Sequence, residues 1–212
     1  MGDIVANSDY LVKARVLVAA GRVLHAQGWV PATSGNFSMR LSESAVLVTA
    51  SGHHKGKLTE QDFLAVDLDG EPLDGGKPSA ETLLHTRLYQ RFSSVQAVLH
   101  CHSRAATVLS LLLKDDAVLL QGYELQKAFA GVDTHEDELR VPIFENTQNV
   151  TQLADEVERY LDGHPTCPAY VIRGHGVYCW ADSLDACLRE VEALDFLFQC
   201  ELDRRRFWQP TP

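Results

Sequence analysis

Two histidines one residue apart, His100 and His102, lie in the run Val98-Leu99-His100-Cys101-His102. Side chains on a strand alternate between faces, so these two imidazoles share one face about 7 Å apart and can converge on a single cation, while Cys101 turns to the opposite face. Two unconnected histidines at a strand end would look the same, and the metal reading needs a third ligand. Arg173-Gly174-His175-Gly176 offers one. A histidine between two glycines, directly after the apolar Tyr170-Val171-Ile172, sits where backbone can pass close to a ligand. The plain alternative is a tight hairpin with an idle histidine. Three neutral imidazoles with an open fourth position are the donor set of a catalytic divalent ion, zinc most naturally, because a structural zinc site is closed by four protein ligands. His100, His102 and His175 therefore form one hypothesis.

Two carboxylates compete for an acid/base role beside such an ion. Glu81 lies in the first turn of a helix opened by Pro78-Ser79-Ala80, and Glu124 follows Gln121-Gly122-Tyr123 at another helix start. Complementarity to the helix dipole explains a glutamate at either place equally well, and spacing does not choose between them. The turns Thr33-Ser34-Gly35-Asn36 and Ser51-Gly52-His53-His54-Lys55 present backbone N–H groups and hydroxyls able to hold phosphate oxygens, with Lys55 or Lys57 adding charge. Neither is a Walker or dinucleotide fingerprint, and turn chemistry alone accounts for both. Ser79, at a helix N-terminus, would be a third phosphate contact. His25, His85, His135 and His164 stand alone on helices or loops and read as surface or packing residues. Cys187, Phe196, Phe198 and Cys200 read as core or subunit interface.

The elements that must position these groups follow from periodicity. Asp9 to Gln27 has apolar residues at helical spacing and stops at Gly28. Phe37 to Leu41, Ala45 to Thr49 and Leu64 to Leu68 read as strands, the last running into an Asp69-Gly70 turn. Ser79 is suited to cap a helix over Ala80 to Phe92, and Val95 to His102 is a strand. Helices are expected over Ser103 to Leu113, Glu124 to Ala130, Asn149 to Leu161 and Ser183 to Arg206, with strands at Val141 to Phe144, Ala169 to Arg173 and Val177 to Trp180. Without a repeat or a long linker, the economical reading is one α/β (α+β layered) domain over residues 1–212.

The chain has 212 residues, 45% hydrophobic and 23% charged, which is enough for a real core. Nineteen basic side chains against 29 acidic give a formal charge of −10, and this argues against nucleic-acid and polyanionic membrane partners. No apolar run approaches the roughly 20 residues of a spanning helix, and no signal peptide is read. Five scattered cysteines without a C-x-x-C pair suggest neither a disulfide framework nor a cysteine zinc site, and a reducing cytoplasm fits them.

The S-G-N turn, the T-A-S-G turn, the P-S-x-E helix start, the H-x-H strand and the R-G-H-G turn, in this order, resemble the class II aldolase/adducin superfamily from about Leu11 to Leu202. Within it, Ser51-Gly52-His53-His54-Lys55-Gly56, Lys77-Pro78-Ser79-Ala80-Glu81-Thr82, Tyr123 to Gly131 and Val141 to Asn146 resemble the methylthioribulose-1-phosphate dehydratases of methionine salvage. The resemblance implies a central, mainly antiparallel sheet flanked by helices, in a cytoplasmic homotetramer with one Zn²⁺ per subunit and active sites at subunit junctions. It implies that His100, His102 and His175 ligate the metal. Glu124 matches the acid/base glutamate of the dehydratases. In the aldolases a tyrosine stands near that place and the acid/base carboxylate is that of P-S-x-E, here Glu81. A cysteine replaces the latter in eukaryotic dehydratase relatives, which ranks Glu124 first. Ser34, Gly35, Asn36, Ser51, Gly52, His53, Lys55 and Ser79 would hold a sugar phosphate. A related aldolase or epimerase would use the same metal with a different second step, and a silent adducin-like interaction module would not need the histidines.

Overall fold

A computed structural model describes residues 8–73 and 75–207 of the chain. Eight strands form one sheet in the order β3-β2-β1-β4-β8-β7-β6-β5. They are β1 Asn36–Arg40, β2 Ala45–Thr49, β3 Phe63–Asp67, β4 Ala97–Cys101, β5 Ala117–Leu120, β6 Leu139–Phe144, β7 Ala169–Ile172 and β8 Gly176–Ala181. Neighbours are antiparallel except β6 with β7, which are parallel and joined by a helical crossover. The helices are α1 Ser8–Ala26, α2 Thr82–Arg91, α3 Arg104–Leu112, α4 Val150–Gly163 and α5 Leu184–Phe207. The single α/β domain is as periodicity suggests, and the mainly antiparallel sheet is as the family resemblance implies.

Strand alternation divides the core into two layers. Phe37 on β1, Ala97, Leu99 and Cys101 on β4, and Val177 and Cys179 on β8 pack with α1, α3 and α5 on one face. Val98, Tyr178 and Trp180 pack with α2 and α4 on the other. The same alternation sends His100 to the α2 side and buries Cys101 opposite, where loss of hydration pushes its thiol pKa up. On α1, Tyr10, Ala14, Leu17 and Leu24 recur at helical spacing and are buried against the sheet.

Three elements differ from expectation. Ala117–Leu120 forms an edge strand paired with β6, although its four apolar residues carry no clear alternation to announce it. The segment expected as a helix from Glu124 is a short 3-10 helix, Glu124–Ala128. Helix α2 starts at Thr82 and not at Ala80: Ser79 accepts a hydrogen bond from the Glu81 backbone N–H at 3.3 Å, and Glu81 occupies the cap position without any side-chain cap bond. The Glu81 carboxylate is thereby released from its helix.

Candidate active site

His100 is the fourth residue of β4, opposite Asn36 of β1 and Tyr178 of β8. Its ring is fully buried, and the Tyr178 ring lies nearly parallel against it with centroids 4.1 Å apart. Nδ1 stands 3.1 Å from the Val177 carbonyl, so the Nδ1–H donates there and the Nε2 lone pair is left for a ligand. His102 follows just beyond the strand, where its backbone N–H donates to the Trp29 carbonyl at 2.8 Å.

His175 comes from the β7–β8 turn, which closes through its N–H on the Ile172 carbonyl at 3.0 Å. Glycine is required next to it, because a Cβ on Gly176 would run into the Cys101 carbonyl and come within 3.1 Å of the His100 ring. The turn is tied to α3. Gly174 N–H donates to Ser110 Oγ at 2.9 Å, while the Arg173 guanidinium donates to the carbonyls of Ser110 and of Leu113, the latter at 2.7 Å.

These elements converge. His100 Nε2 is 2.9 Å from His102 Nε2 and 3.3 Å from His175 Nε2, and one nitrogen of each ring lies within 4.8 Å of the others. Ligands about 2.0–2.1 Å from one tetrahedral ion stand roughly 3–3.5 Å apart, so the three residues fit a divalent metal. Their electrostatics agree. Burial, followed by the neighbouring His102 and His175, holds His100 well below the usual imidazole pKa, and burial with His175 and Lys55 lowers His102 to about 4. Neutral rings with free lone pairs are what metal ligation needs.

Glu81 stands beside them. Its Oε1 is 3.3 Å from His175 Nε2, its Oε2 is 3.6 Å from His100 Nε2, and Asn36 Nδ2 donates to Oε2 at 2.7 Å. A cavity of about 330 Å³ opens over this group, with Glu81, His102 and His175 on one side and Ser34, Gly35, Asn36, Ser51, Gly52, Lys55 and Ser79 around the rest. The expected turns thus meet at one pocket. Gly35 has a φ of 76°, and a Cβ there would lie 2.7 Å from the His100 carbonyl, so only glycine lets the first turn run this close to the histidine strand.

Two residues do something other than expected. The His53 side chain turns away to Asp62, 2.8 Å from Oδ1. Lys55 is buried and donates through Nζ to the carbonyls of Thr33 and His53 at 3.0 and 2.7 Å, tying the two turns together. Burial lowers its pKa to about 8, against the opposing influence of Glu81. Spacing does not reveal that tie, since a Lys in a polar turn reads as exposed.

Glu124 is placed elsewhere. Its side chain is 72% exposed, with Lys127 Nζ at 2.6 Å and His135 Nδ1 at 3.8 Å. It does not line the cavity. His85, read as a packing residue, is fully buried but in a polar setting, and it was the four-residue spacing from Glu81 that could have linked them. His164 stacks on Tyr160 and His25 packs edge-on against His54. Cys187 and Phe198 are core, whereas Phe196 is exposed.

Known proteins resemble the chain in sequence and in fold. The chain is 56% identical over 187 residues to the methylthioribulose-1-phosphate dehydratase of Pseudomonas paraeruginosa, covering 88% of this chain and 91% of that one. It is 54% identical over 192 residues to the methylthioribulose-1-phosphate dehydratase of Azotobacter vinelandii, covering 90% and 93%. The crystal structure of L-fuculose-1-phosphate aldolase from Thermus thermophilus superposes with a TM-score of 0.75 at 27% identity, over 95% of this chain and 99% of that one. Residues 15–202, which carry all eight described strands and the three histidines, match the family described as Class II Aldolase and Adducin N-terminal domain, and the chain belongs to that family.

Proposed function

We propose that the chain removes water from 5-methylthioribulose 1-phosphate, giving 5-methylthio-2,3-dioxopentyl phosphate, as a zinc-dependent hydro-lyase of methionine salvage. The observation that carries this reading is identity above one half, across about nine-tenths of both chains, to dehydratases of that name. His100, His102 and His175 would hold the metal. Bound there, zinc would supply Lewis acidity to a substrate oxygen and so ease removal of the proton on the adjacent carbon.

The chain's own groups do the rest. Ser34, Gly35, Asn36, Ser51, Gly52 and Ser79 line the cavity and hold the sugar phosphate, with Lys55 keeping the two turns at a fixed separation and adding a positive charge. Phosphate binding remote from the reacting carbons lends its energy to orienting them. Glu81 presents its carboxyl oxygens to a substrate hydroxyl inside the pocket. Glu124 takes the proton from C3 and gives one to the departing C4 hydroxyl, so that the C4–O bond breaks and water leaves. The enol that remains ketonises to the 2,3-diketone.

Exposure of Glu124 supports its action in a neighbouring copy of the chain, at a subunit junction of a homotetramer. Leu125 beside it is also exposed, as are Leu111, Leu112 and Phe196, apolar side chains that an association of subunits would cover. The five free cysteines suit a cytoplasmic location. Among the described residues no helix is long and apolar enough to cross a membrane.

Incubation of the zinc-loaded protein with methylthioribulose 1-phosphate tests the reading. A single product with an intact five-carbon chain, lighter by one water, is expected. Release of a two- or three-carbon fragment would make the protein an aldolase instead.

A further inference from the structure

Helix α2 and strand β1 meet along a buried polar seam. Glu81, His85 and Tyr89 are spaced by four on the helix side, and Asn36 and Ser38 are spaced by two on the strand, so each set faces the other. His85 Nδ1 is 2.7 Å from Ser38 Oγ, which is 2.9 Å from Tyr89 OH, and His85 Nε2 meets Asn36 Oδ1. Asn36 Nδ2 continues to Glu81. Ser38, His85 and Tyr89 are at most 1% exposed, and nothing about a sheet–helix contact requires polar groups there.

The direction of every bond in this chain is determined. A glutamate carboxylate only accepts, so Asn36 presents its NH₂ to Glu81 and its oxygen to His85. That oxygen needs a donor, and the proton of the neutral imidazole must be on Nε2. Nδ1 then accepts from the Ser38 hydroxyl, which accepts in turn from Tyr89 OH. Burial keeps His85 neutral, its pKa lowered to about 3. The far end is itself fixed, since Arg40 donates to the Tyr89 carbonyl at 2.7 Å and lies over its ring, 5.1 Å from the centroid.

We propose that His85 is a positioning residue: its Nε2–H locks the Asn36 amide in the one orientation that donates to Glu81, and so holds that carboxylate facing the histidine cluster as an acceptor. The inference rests on the proposed dehydratase reading only for its kinetic consequence. The geometry explains why Glu81 gives up its helix cap, because Asn36 offers a buried donor that is already oriented. It also assigns a role to a histidine that does not line the cavity and is not one of the three proposed ligands.

Two measurements test this. Long-range ¹H–¹⁵N correlation on the metal-free protein should show His85 neutral with its proton on Nε2; a proton on Nδ1 overturns the proposal whatever the protein catalyses. In the zinc-loaded protein, His85→Leu should lower kcat by about 10–100-fold with KM and zinc content unchanged. His85→Gln, whose amide can donate to Asn36 and accept from Ser38, should recover most of that loss. Ser38→Ala should lose less than His85→Leu and Tyr89→Phe least of all, the effect falling with distance from Glu81 and not with the size of the group removed. Wild-type kcat in a folded His85→Leu protein overturns the proposal, as does wild-type kcat in Ser38→Ala should His85→Leu fail to fold. If the wild-type protein leaves methylthioribulose 1-phosphate untouched, the functional reading fails, and the tautomer alone decides the proposal.

Discussion

At the scale of single residues, the histidine site depends on rings that stay uncharged. His100 is buried against the ring of Tyr178 on the neighbouring strand, its Nδ1–H committed to Val177 and its Nε2 free. His100→Ala should therefore leave a protein that neither retains stoichiometric zinc nor turns over, with metal content measured by elemental analysis after gel filtration. Glu124→Gln should retain the metal and lose turnover, because the side chain stands apart from the three histidines and its polar partners, Lys127 and His135, lie at the surface. Much of this was legible in the sequence: a two-residue period put His100 and His102 on one face, and paired glycines singled out His175. The roles of Lys55 and His85 were not, because each depends on contacts between segments at least 20 residues apart that no local pattern encodes.

At the scale of elements, the site is assembled where a strand end, a hairpin turn and a helix start meet. The β7–β8 turn carries the least local support for its ligand, and Arg173 compensates by binding carbonyls at the C-terminal end of α3. Arg173→Ala should leave the fold intact and weaken zinc binding by about 10–100-fold in competition with a chelator, as loss of groups that orient a ligand does. Periodicity located α1, α4, α5 and the central strands to within a few residues. It failed for β5, whose four residues lack alternation, and for the start of α2, where the Pro78-Ser79-Ala80-Glu81 cap signal was overridden by the tertiary bond from Asn36 to Glu81. Both misses have the same cause, a partner from elsewhere in the chain deciding a local choice.

At the scale of the whole molecule, two consequences follow. Histidines kept neutral by full or partial burial make stability depend on pH in a definite sense. His85 and His102 titrate near 3 and 4 in the folded protein against about 6.5 when unfolded, so the unfolded chain takes up protons first. Stability of the metal-free protein should be full above about pH 6.5 and fall steadily as pH drops toward 4. Urea unfolding across that range checks this, and His85→Gln should flatten the slope. Assembly gives the second consequence. If Glu124 serves a neighbouring subunit, co-expressed Glu124→Gln and His175→Ala chains, each inactive alone, should recover about a quarter of wild-type activity in mixed tetramers, since a random junction combines the two intact halves that often. Activity that stays at background would place Glu124 outside the reaction of its neighbours.

The most direct test of the chemistry is a single turnover experiment in D₂O with methylthioribulose 1-phosphate, followed by NMR and mass spectrometry of the product. Loss of the C3 hydrogen and of the C4 hydroxyl, followed by ketonisation, predicts one unbroken five-carbon diketone phosphate with one deuteron at C4. Carbon–carbon cleavage, or deuterium at C3 of a substrate that has kept its C4 hydroxyl, would contradict it.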